Sequence, residues 1–182
     1  MRAFTFFLGL TSVAVATLGA MPTARADTTY GYVFMQGASC QLSIPTTNTV
    51  FRPKATGARN ESTATSNFII CPFTIAPAPT LAGAPITQLI MHFATLDSVS
   101  RPVNCTLVKG DAVSETPAYS TKTVTTPAST SVHSVLFWTA GDFGGTAGDP
   151  FVSGAFLSVT CSLPPQSSVV YLYATYAYEI GA

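Results

Sequence analysis

Short apolar runs separated by turn-forming residues most restrict what this chain can fold into. Nine such runs occur after residue 27, and clusters of Pro, Gly, Ser and Asn stand between them. The runs cover residues 30–36, 40–44, 67–73, 86–96, 103–109, 119–126, 132–139, 155–163 and 168–179. Several alternate with period two, so that Leu136 and Trp138 fall on one face of the seventh run while Val135 and Phe137 fall on the other. Alternation of this kind predicts β-strands with one face toward a core.

The same part of the chain carries little sign of helix. In no window of a dozen residues after residue 26 do apolar residues recur convincingly with the helical period between capping residues. The 13 Pro and 13 Gly of the whole chain also disfavour long helices. Many short strands joined by turns are typical of antiparallel sheets that pack face to face. We therefore expect an all-β fold, an antiparallel β-sandwich or jelly roll, formed by residues 27–182 as a single domain.

Charged residues are scarce. Asp, Glu, Lys and Arg make up 9% of the chain, with eight acids and eight bases, whereas an ordinary soluble domain has roughly 25%. The 27 Thr and 17 Ser supply polar surface instead, and β-branched Thr suits the solvent face of a strand. A disordered chain needs low hydrophobicity and high charge, and a nucleic-acid-binding protein needs a basic face. The composition argues against both classes.

The first 26 residues have the organisation of a secretory signal peptide. Arg2 precedes an uncharged, largely apolar stretch over residues 3–20, Pro22 then breaks any helix, and Ala24-Arg25-Ala26 has small residues at the positions that a signal peptidase reads. An uncleaved membrane anchor is the alternative, and the proline and the cleavage site favour removal. No second long apolar segment follows, so we expect no membrane span after cleavage and a secreted or periplasmic protein.

Four cysteines remain after cleavage: Cys40, Cys71, Cys105 and Cys161. An even number in an exported chain predicts two disulfides. Three pairings are possible, and we favour the non-crossing one, Cys40 with Cys71 and Cys105 with Cys161. A zinc site is the alternative, but the chain lacks the close cysteine pairs that zinc sites use. We expect no metal at these residues and no cofactor.

The layout resembles a group of small exported proteins of Gram-negative bacteria that have an aromatic first strand, a Cys-Pro about thirty residues after the first Cys, and a Tyr-rich last strand. The matching stretches are residues 30–40, Arg59-Asn60-Glu61-Ser62, Ile70-Cys71-Pro72, Val103-Asn104-Cys105, and Val159-Thr160-Cys161 through Pro164-Pro165 to Tyr178. The resemblance implies a bacterial, disulfide-containing β-sandwich. It implies no particular activity, because its motifs are structural.

Few residues are suited to catalysis. His92 and His133 are the only histidines, and a hydrolase with a Ser-His-Asp triad needs one of them beside an acid and a nucleophilic serine. The chain has no G-x-S-x-G elbow to present such a serine. Its eight acids are scattered, so no pair suited to glycoside hydrolysis can be identified from the sequence.

The loop over residues 141–150 is the most unusual segment. Asp142 and Asp149 lie among glycines there and are weak candidates for calcium ligands, although their spacing does not match an EF-hand. A simple connection between strands is the favoured interpretation. Trp138 precedes the loop and Phe143 lies in it, so both are weak candidates for stacking on a sugar ring. A core position is the favoured interpretation for the tryptophan.

Tyrosines crowd the last run, where Tyr171 and Tyr173 share one face and Tyr176 and Tyr178 share the other. Cross-strand packing explains such a pattern. A strand presented to a partner explains it too, as in pilin-like subunits that are completed by a neighbour's strand. The chain lacks the C-terminal pattern of those subunits, because it ends Glu179-Ile180-Gly181-Ala182.

The sequence thus favours a small exported, non-catalytic β-sandwich that binds a component at or outside the cell surface or contributes to a structure there. The partner's identity is not encoded in any motif, and no nucleic-acid partner is expected. A pilin-like subunit that assembles by strand exchange and a secreted hydrolase are the two alternatives.

Overall fold

The computed structural model describes residues 27–43, 50–73, 86–110, 117–150 and 157–180. The predicted signal peptide lies outside these ranges, as does part of the run over residues 155–163. The described residues form eleven strands and two short 3-10 turns. The strands are β1 (Asp27–Gln36), β2 (Gln41–Leu42), β3 (Phe51–Lys54), β4 (Gly57–Asn60), β5 (Asn67–Phe73), β6 (Ile86–Thr95), β7 (Pro102–Lys109), β8 (Ala118–Thr125), β9 (Ser134–Thr139), β10 (Leu157–Leu163) and β11 (Ser167–Ile180).

The strands form two sheets in which all pairings are antiparallel. The six-stranded sheet has the order β3-β4-β11-β6-β9, and β1 pairs with the rest of β11 beyond β4. The five-stranded sheet has the order β2-β5-β10-β7-β8. The predicted all-β sandwich is therefore confirmed. No helix in the described ranges is long and apolar enough to cross a membrane.

A single apolar core fills the space between the sheets. The six-stranded sheet contributes Leu89, Met91, Phe93, Trp138 and Leu172, and the five-stranded sheet contributes Ile69, Val103, Leu107, Val159 and Leu163, all of them fully buried. In β5, β7 and β10 buried and more accessible residues alternate, as the period-two pattern of the sequence predicts.

Both disulfides lie inside the five-stranded sheet. Cys105 and Cys161 are direct partners in the β7–β10 register and are bonded. Cys40 precedes β2, whose first residue pairs with Ile70, and it is bonded to Cys71 of β5. The non-crossing pairing expected from the sequence is the one that forms. Each disulfide joins neighbouring strands, so neither connects one sheet to the other.

An irregularity in β11 decides which way its tyrosines point. Val169 pairs with Phe93 of β6, whereas the next register pair is Tyr171 with His92, so Val170 is an extra residue. A bulge of this kind shifts the alternation of the strand by one position. Val169 and Leu172 consequently both face the core, and Tyr171 and Tyr173 lie on the outer face of the six-stranded sheet.

Candidate functional site: an aromatic face on the six-stranded sheet

Strand register gathers aromatic and apolar side chains on the outer face of the six-stranded sheet. On β1 the outward positions alternate with inward ones, and Phe34 pairs directly with Tyr173 of β11. Tyr171 pairs with His92 of β6, which in turn pairs with Val135 of β9. We call the whole set the aromatic face: Tyr30, Tyr32, Phe34, His92, Val135, Phe137, Tyr171 and Tyr173.

The rings of the aromatic face touch one another across three strands. Phe34 and Tyr173 have ring centroids 5.0 Å apart, and Tyr32 meets Tyr173 edge-on at 5.9 Å. His92 stacks on Tyr171 at 4.1 Å with 20° between the ring planes. Aromatic pairs at these separations attract one another beyond simple burial. The rings of Tyr32, Phe34, His92, Tyr171 and Tyr173 therefore form one cluster in mutual contact.

A large part of this face is exposed to solvent. Phe34 is 65% exposed, Tyr30 and Tyr32 are each 56% exposed, and Phe137 is 47% exposed. Single exposed apolar residues are ordinary, but a contiguous patch of them marks a site of interaction in most soluble proteins. The outer surface of β1, β11, β6 and β9 therefore has the character of a binding surface.

The aromatic face is uncharged among the described side chains. Its members include no Asp, Glu, Lys or Arg. The Lys122 ammonium approaches from the neighbouring sheet, where it lies 5.1 Å from the Phe137 ring centroid. That ammonium is already paired with the Asp142 carboxylate at 2.8 Å and donates to the Phe137 carbonyl. The face can thus bind an uncharged ligand without leaving a charge unpaired.

His92 is a half-buried member of the face. Burial lowers the pKa of His92, and the neighbouring His133, with a ring centroid 6.1 Å away, lowers that pKa further. Its Nε2 atom is buried and has no hydrogen-bond partner among the described residues. Burial also raises the pKa of Tyr173, with smaller contributions from Tyr171 and Tyr32. These shifts keep both groups neutral near pH 7.

A cleft of about 340 Å³ lies at the β4 end of the face. Arg59, His133, Ser168 and Val170 are among the residues that line it. The His133 ring also meets Tyr171 at 6.1 Å, so the cleft is continuous with the aromatic face. Within the described part of the chain, neither histidine is hydrogen-bonded or ion-paired to an acid, so the arrangement lacks the acid partner that a triad requires.

The residues singled out around the 141–150 loop have other surroundings. Trp138 is fully buried and its Nε1 donates to the Ser120 carbonyl at 3.1 Å; it occupies the core position favoured above and is not available to stack on a ligand. Phe143 is partly buried and packs against the core. The Asp142 carboxylate pairs with Lys122 and accepts from the Thr139 amide at 2.8 Å.

The calcium assignment to Asp142 and Asp149 has no support in this geometry and stays a prediction. Asp149 is exposed, and its amide donates to the Thr146 carbonyl at 3.1 Å. In the described ranges no three His, Cys, Asp or Glu side chains are grouped so that they could hold a metal ion.

Sequence reasoning identified Tyr171 and Tyr173 as sharing a face but missed their partners. The alternation of Tyr30, Tyr32 and Phe34 was the available signal, because three aromatic residues at period two on a strand with small or aliphatic neighbours point one way. Which strand they would meet depends on the pairing of β1 with β11, and no local pattern encodes that pairing.

The chain was compared with protein-family models, curated proteins and solved structures, and none of them matches it. The likeness to exported Gram-negative proteins therefore stays an expectation from the sequence.

Proposed function

We propose that this protein is exported and non-catalytic, and that it binds a neutral polysaccharide across the aromatic face. The observation that carries the proposal is the exposed and uncharged set of rings whose contacts run from β1 through β11 to β6, with the exposed Phe137 ring on the neighbouring strand β9. Export is supported by the signal-peptide pattern of residues 1–26 and by the two disulfides, since such bonds persist in oxidising compartments.

A binding role fits the chemistry better than the hydrolase alternative. His92 and His133 lie next to each other and are bonded to no carboxylate of the described ranges, and burial favours the neutral form of His92. Neither imidazole has an acid partner among the described residues, so the arrangement lacks the group that orients the base in a Ser-His-Asp triad.

The ligand class follows from charge and size. A sugar ring has apolar faces and a polar rim, and aromatic rings with hydroxyl tips, such as Tyr32 and Tyr173, can contact both. Four strands about 4.8 Å apart and a stretch of about 20 Å along them give a face of roughly 300–400 Å². A face of this length and width suits a few sugar units of an extended chain.

The test is binding of the processed, exported protein to a panel of neutral polysaccharides, by co-sedimentation with insoluble ones and by affinity electrophoresis with soluble ones. Phe34→Ala and Phe137→Ala remove rings at opposite sides of the face. Tyr119→Ala is the matched control, because Tyr119 is also 65% exposed but lies on β8 of the other sheet.

We expect binding to at least one polysaccharide, a loss of about five- to tenfold in each face variant, since one stacked ring is worth about 1–1.5 kcal/mol, and no change in the control. Absence of binding to the whole panel, or equal loss in the control, would refute the proposal. Binding to neutral lipid vesicles combined with binding to none of the polysaccharides would also refute it.

A further inference from the structure

Within the part of the chain that the structure describes, the free edges of the two sheets are protected at every place but one. An edge strand has unpaired N–H and C=O groups, and proteins block unwanted pairing with charges, proline, bulges or short strands. The four-residue strand β3 contains Arg52, Pro53 and Lys54, and Lys54 forms an ion pair with Glu61. This edge cannot continue a sheet, because proline has no N–H to donate.

The five-stranded sheet has its edges at β2 and β8, and the six-stranded sheet has a further edge at β9. These three edges are protected by different means. β2 is only two residues long, and beyond it β5 carries a disulfide and Pro72. β8 and β9 lie at one corner, where Trp138 Nε1 donates to the Ser120 carbonyl and Lys122 Nζ donates to the Phe137 carbonyl at 2.9 Å. These side-chain bonds join the edges of the two sheets to each other.

β1 has none of these protections. It pairs with β11 without interruption from Asp27 opposite Ile180 to Gln36 opposite Tyr171, and with no other strand of the described chain. Residues 28–36 include no charged residue and no proline, and their register with β11 contains no bulge. Its outer edge is therefore long, regular and open to pairing.

β1 is also fixed firmly to its own chain. The Tyr176 ring lies over Gly31, where an added Cβ would come within 2.3 Å of it. The backbone at Gly37 sits against the Val169 carbonyl, where an added Cβ would be 2.1 Å from the oxygen. A strand held in this way favours the addition of a further strand at its free edge over the exchange of β1 itself between chains.

We propose that the free edge of β1 pairs with β1 of a second copy of this chain, antiparallel and about a twofold axis. The register that places Tyr32 opposite Tyr32 of the partner subunit also places Tyr30 opposite Phe34 of the partner subunit. All three outward rings of the strand then meet a ring across the axis, and cross-strand aromatic pairs stabilise a sheet. A shift by two residues in either direction leaves a ring opposite Thr28 or Gln36 instead.

The β1 edge is complementary to itself, and this is why we infer that a second copy of the chain pairs with it. From residue 28 to residue 36 the edge has no charge to attract an oppositely charged partner and none to repel an identical strand. The charge of Asp27 lies at the end of the strand, away from the axis at Tyr32. A twofold pairing closes on itself and so stops at two copies. It also joins the two aromatic faces side by side into one surface of double width.

The size of the contact sets its strength. A strand of ten residues is about 33 Å long and a sheet is about 10 Å thick, so the edge covers roughly 330 Å² per copy. This is less than half the area of a stable interface. The dimer is consequently reversible and depends on protein concentration.

The test is sedimentation velocity of the processed protein over a concentration series, with two opposite charge substitutions at the axis. We expect the wild type to pass from monomer to dimer as its concentration rises. Tyr32→Lys and Tyr32→Glu should each stay monomeric, because like charges meet at the axis. An equimolar mixture of the two should dimerise again. Tyr119→Lys is the matched control on β8 and should dimerise like the wild type.

Several outcomes would overturn the proposal: a wild type that stays monomeric throughout, single variants that dimerise as well as the wild type, a mixture that stays monomeric, or species that grow beyond the dimer. Near-ultraviolet circular dichroism checks that each variant is folded. Hydrogen exchange of the unmodified protein gives a second readout, since the β1 amides should gain protection as concentration rises. Phe137→Ala should leave dimerisation intact, so failure of polysaccharide binding and failure of pairing can be told apart.

Discussion

Replacing Asn60 with alanine tests how the two sheets are held together. Asn60 ends β4 in the six-stranded sheet and is fully buried. Its Nδ2 group donates to the carbonyl oxygens of Leu163 and Pro164, each at 3.0 Å, and to that of Thr65 at 2.8 Å. Its Oδ1 atom accepts from the Ser62 amide at 3.1 Å. One side-chain amide thus ties β4 to the end of β10 in the other sheet.

The alanine variant affects these groups unequally. The bond to the Leu163 carbonyl is buried, so water cannot readily replace it. The Pro164 carbonyl keeps the Ser167 hydroxyl as a donor at 2.6 Å. The bonds of Thr65 and Ser62 are only partly buried and can be replaced by water in part. With about 1–3 kcal/mol for the buried bond and about 1 kcal/mol for the two others together, we expect a loss of about 3 kcal/mol in the free energy of unfolding.

Equilibrium unfolding in urea measures this loss, and the protein contains its own probe. Trp138 is the only tryptophan in the chain and is fully buried, so its fluorescence reports loss of the core. For a slope of about 2 kcal/mol per molar urea, a loss of 3 kcal/mol lowers the midpoint by about 1.5 M.

Asn104→Ala is the matched control. Like Asn60, Asn104 lies on a strand and stands two residues before a hydroxyl residue. Its side chain is exposed, and among the described residues it accepts only from the Thr123 hydroxyl, at 2.6 Å. We expect a change within about 0.5 kcal/mol, as for most surface substitutions. If Asn60→Ala were no more destabilising than Asn104→Ala, the assignment of Asn60 as a stabilising link between the sheets would be wrong.

Three further predictions concern other parts of the fold. Burial lowers the pKa of His92, so between that pKa and about 6.5 the unfolded chain binds more protons than the folded one, and stability falls as the pH is lowered. His92→Gln should reduce this dependence of stability on pH in thermal melts from pH 7.5 to 5. An unchanged dependence would contradict the lowered pKa. Gly37→Ala places a Cβ 2.1 Å from the Val169 oxygen and should destabilise the fold by about 1–3 kcal/mol; an unaltered urea midpoint would contradict that. The double replacement of Cys105 and Cys161 by alanine opens a loop with a sequence separation of 56 and should lower the free energy of unfolding by about 4 kcal/mol, whereas an equal midpoint would refute the entropic reasoning.

The strands with an apolar or alternating sequence could be predicted from the sequence, and the two without such a pattern could not. The nine apolar runs correspond to β1, β2 and β5 to β11. β3 and β4 were missed because Arg52, Pro53 and Lys54 have the composition of a loop and Gly57 begins the next strand. Proline and charged residues are typical of edge strands such as β3. Whether such a segment becomes a strand is decided by the neighbouring sheet rather than by its local propensity.

The aromatic face could be predicted only in pieces. The shared face of Tyr171 and Tyr173 follows from their spacing, but the bulge at Val170 decides that this face is the outer one. The contact of these tyrosines with Phe34 joins residues more than a hundred positions apart. Such pairings depend on the whole topology. The sequence left the burial of Trp138 open for a related reason. Alternation shows which residues of β9 lie on the same side as Trp138, but not whether the other sheet covers that side.

The pairing of β1 with β11 has a mechanical consequence. Residues 27 and 180 are opposite each other at the same end of the two strands, so tension between them separates the pairs one after another, like a zipper, rather than shearing all of them at once. Separation from the N-terminal side ends at Cys40, because its disulfide to Cys71 passes the load to the five-stranded sheet. The thirteen residues from 27 to 39 would then form an extensible tether of about 45 Å. Under low force the molecule would lengthen by this fixed amount while its cross-linked sheet stayed folded.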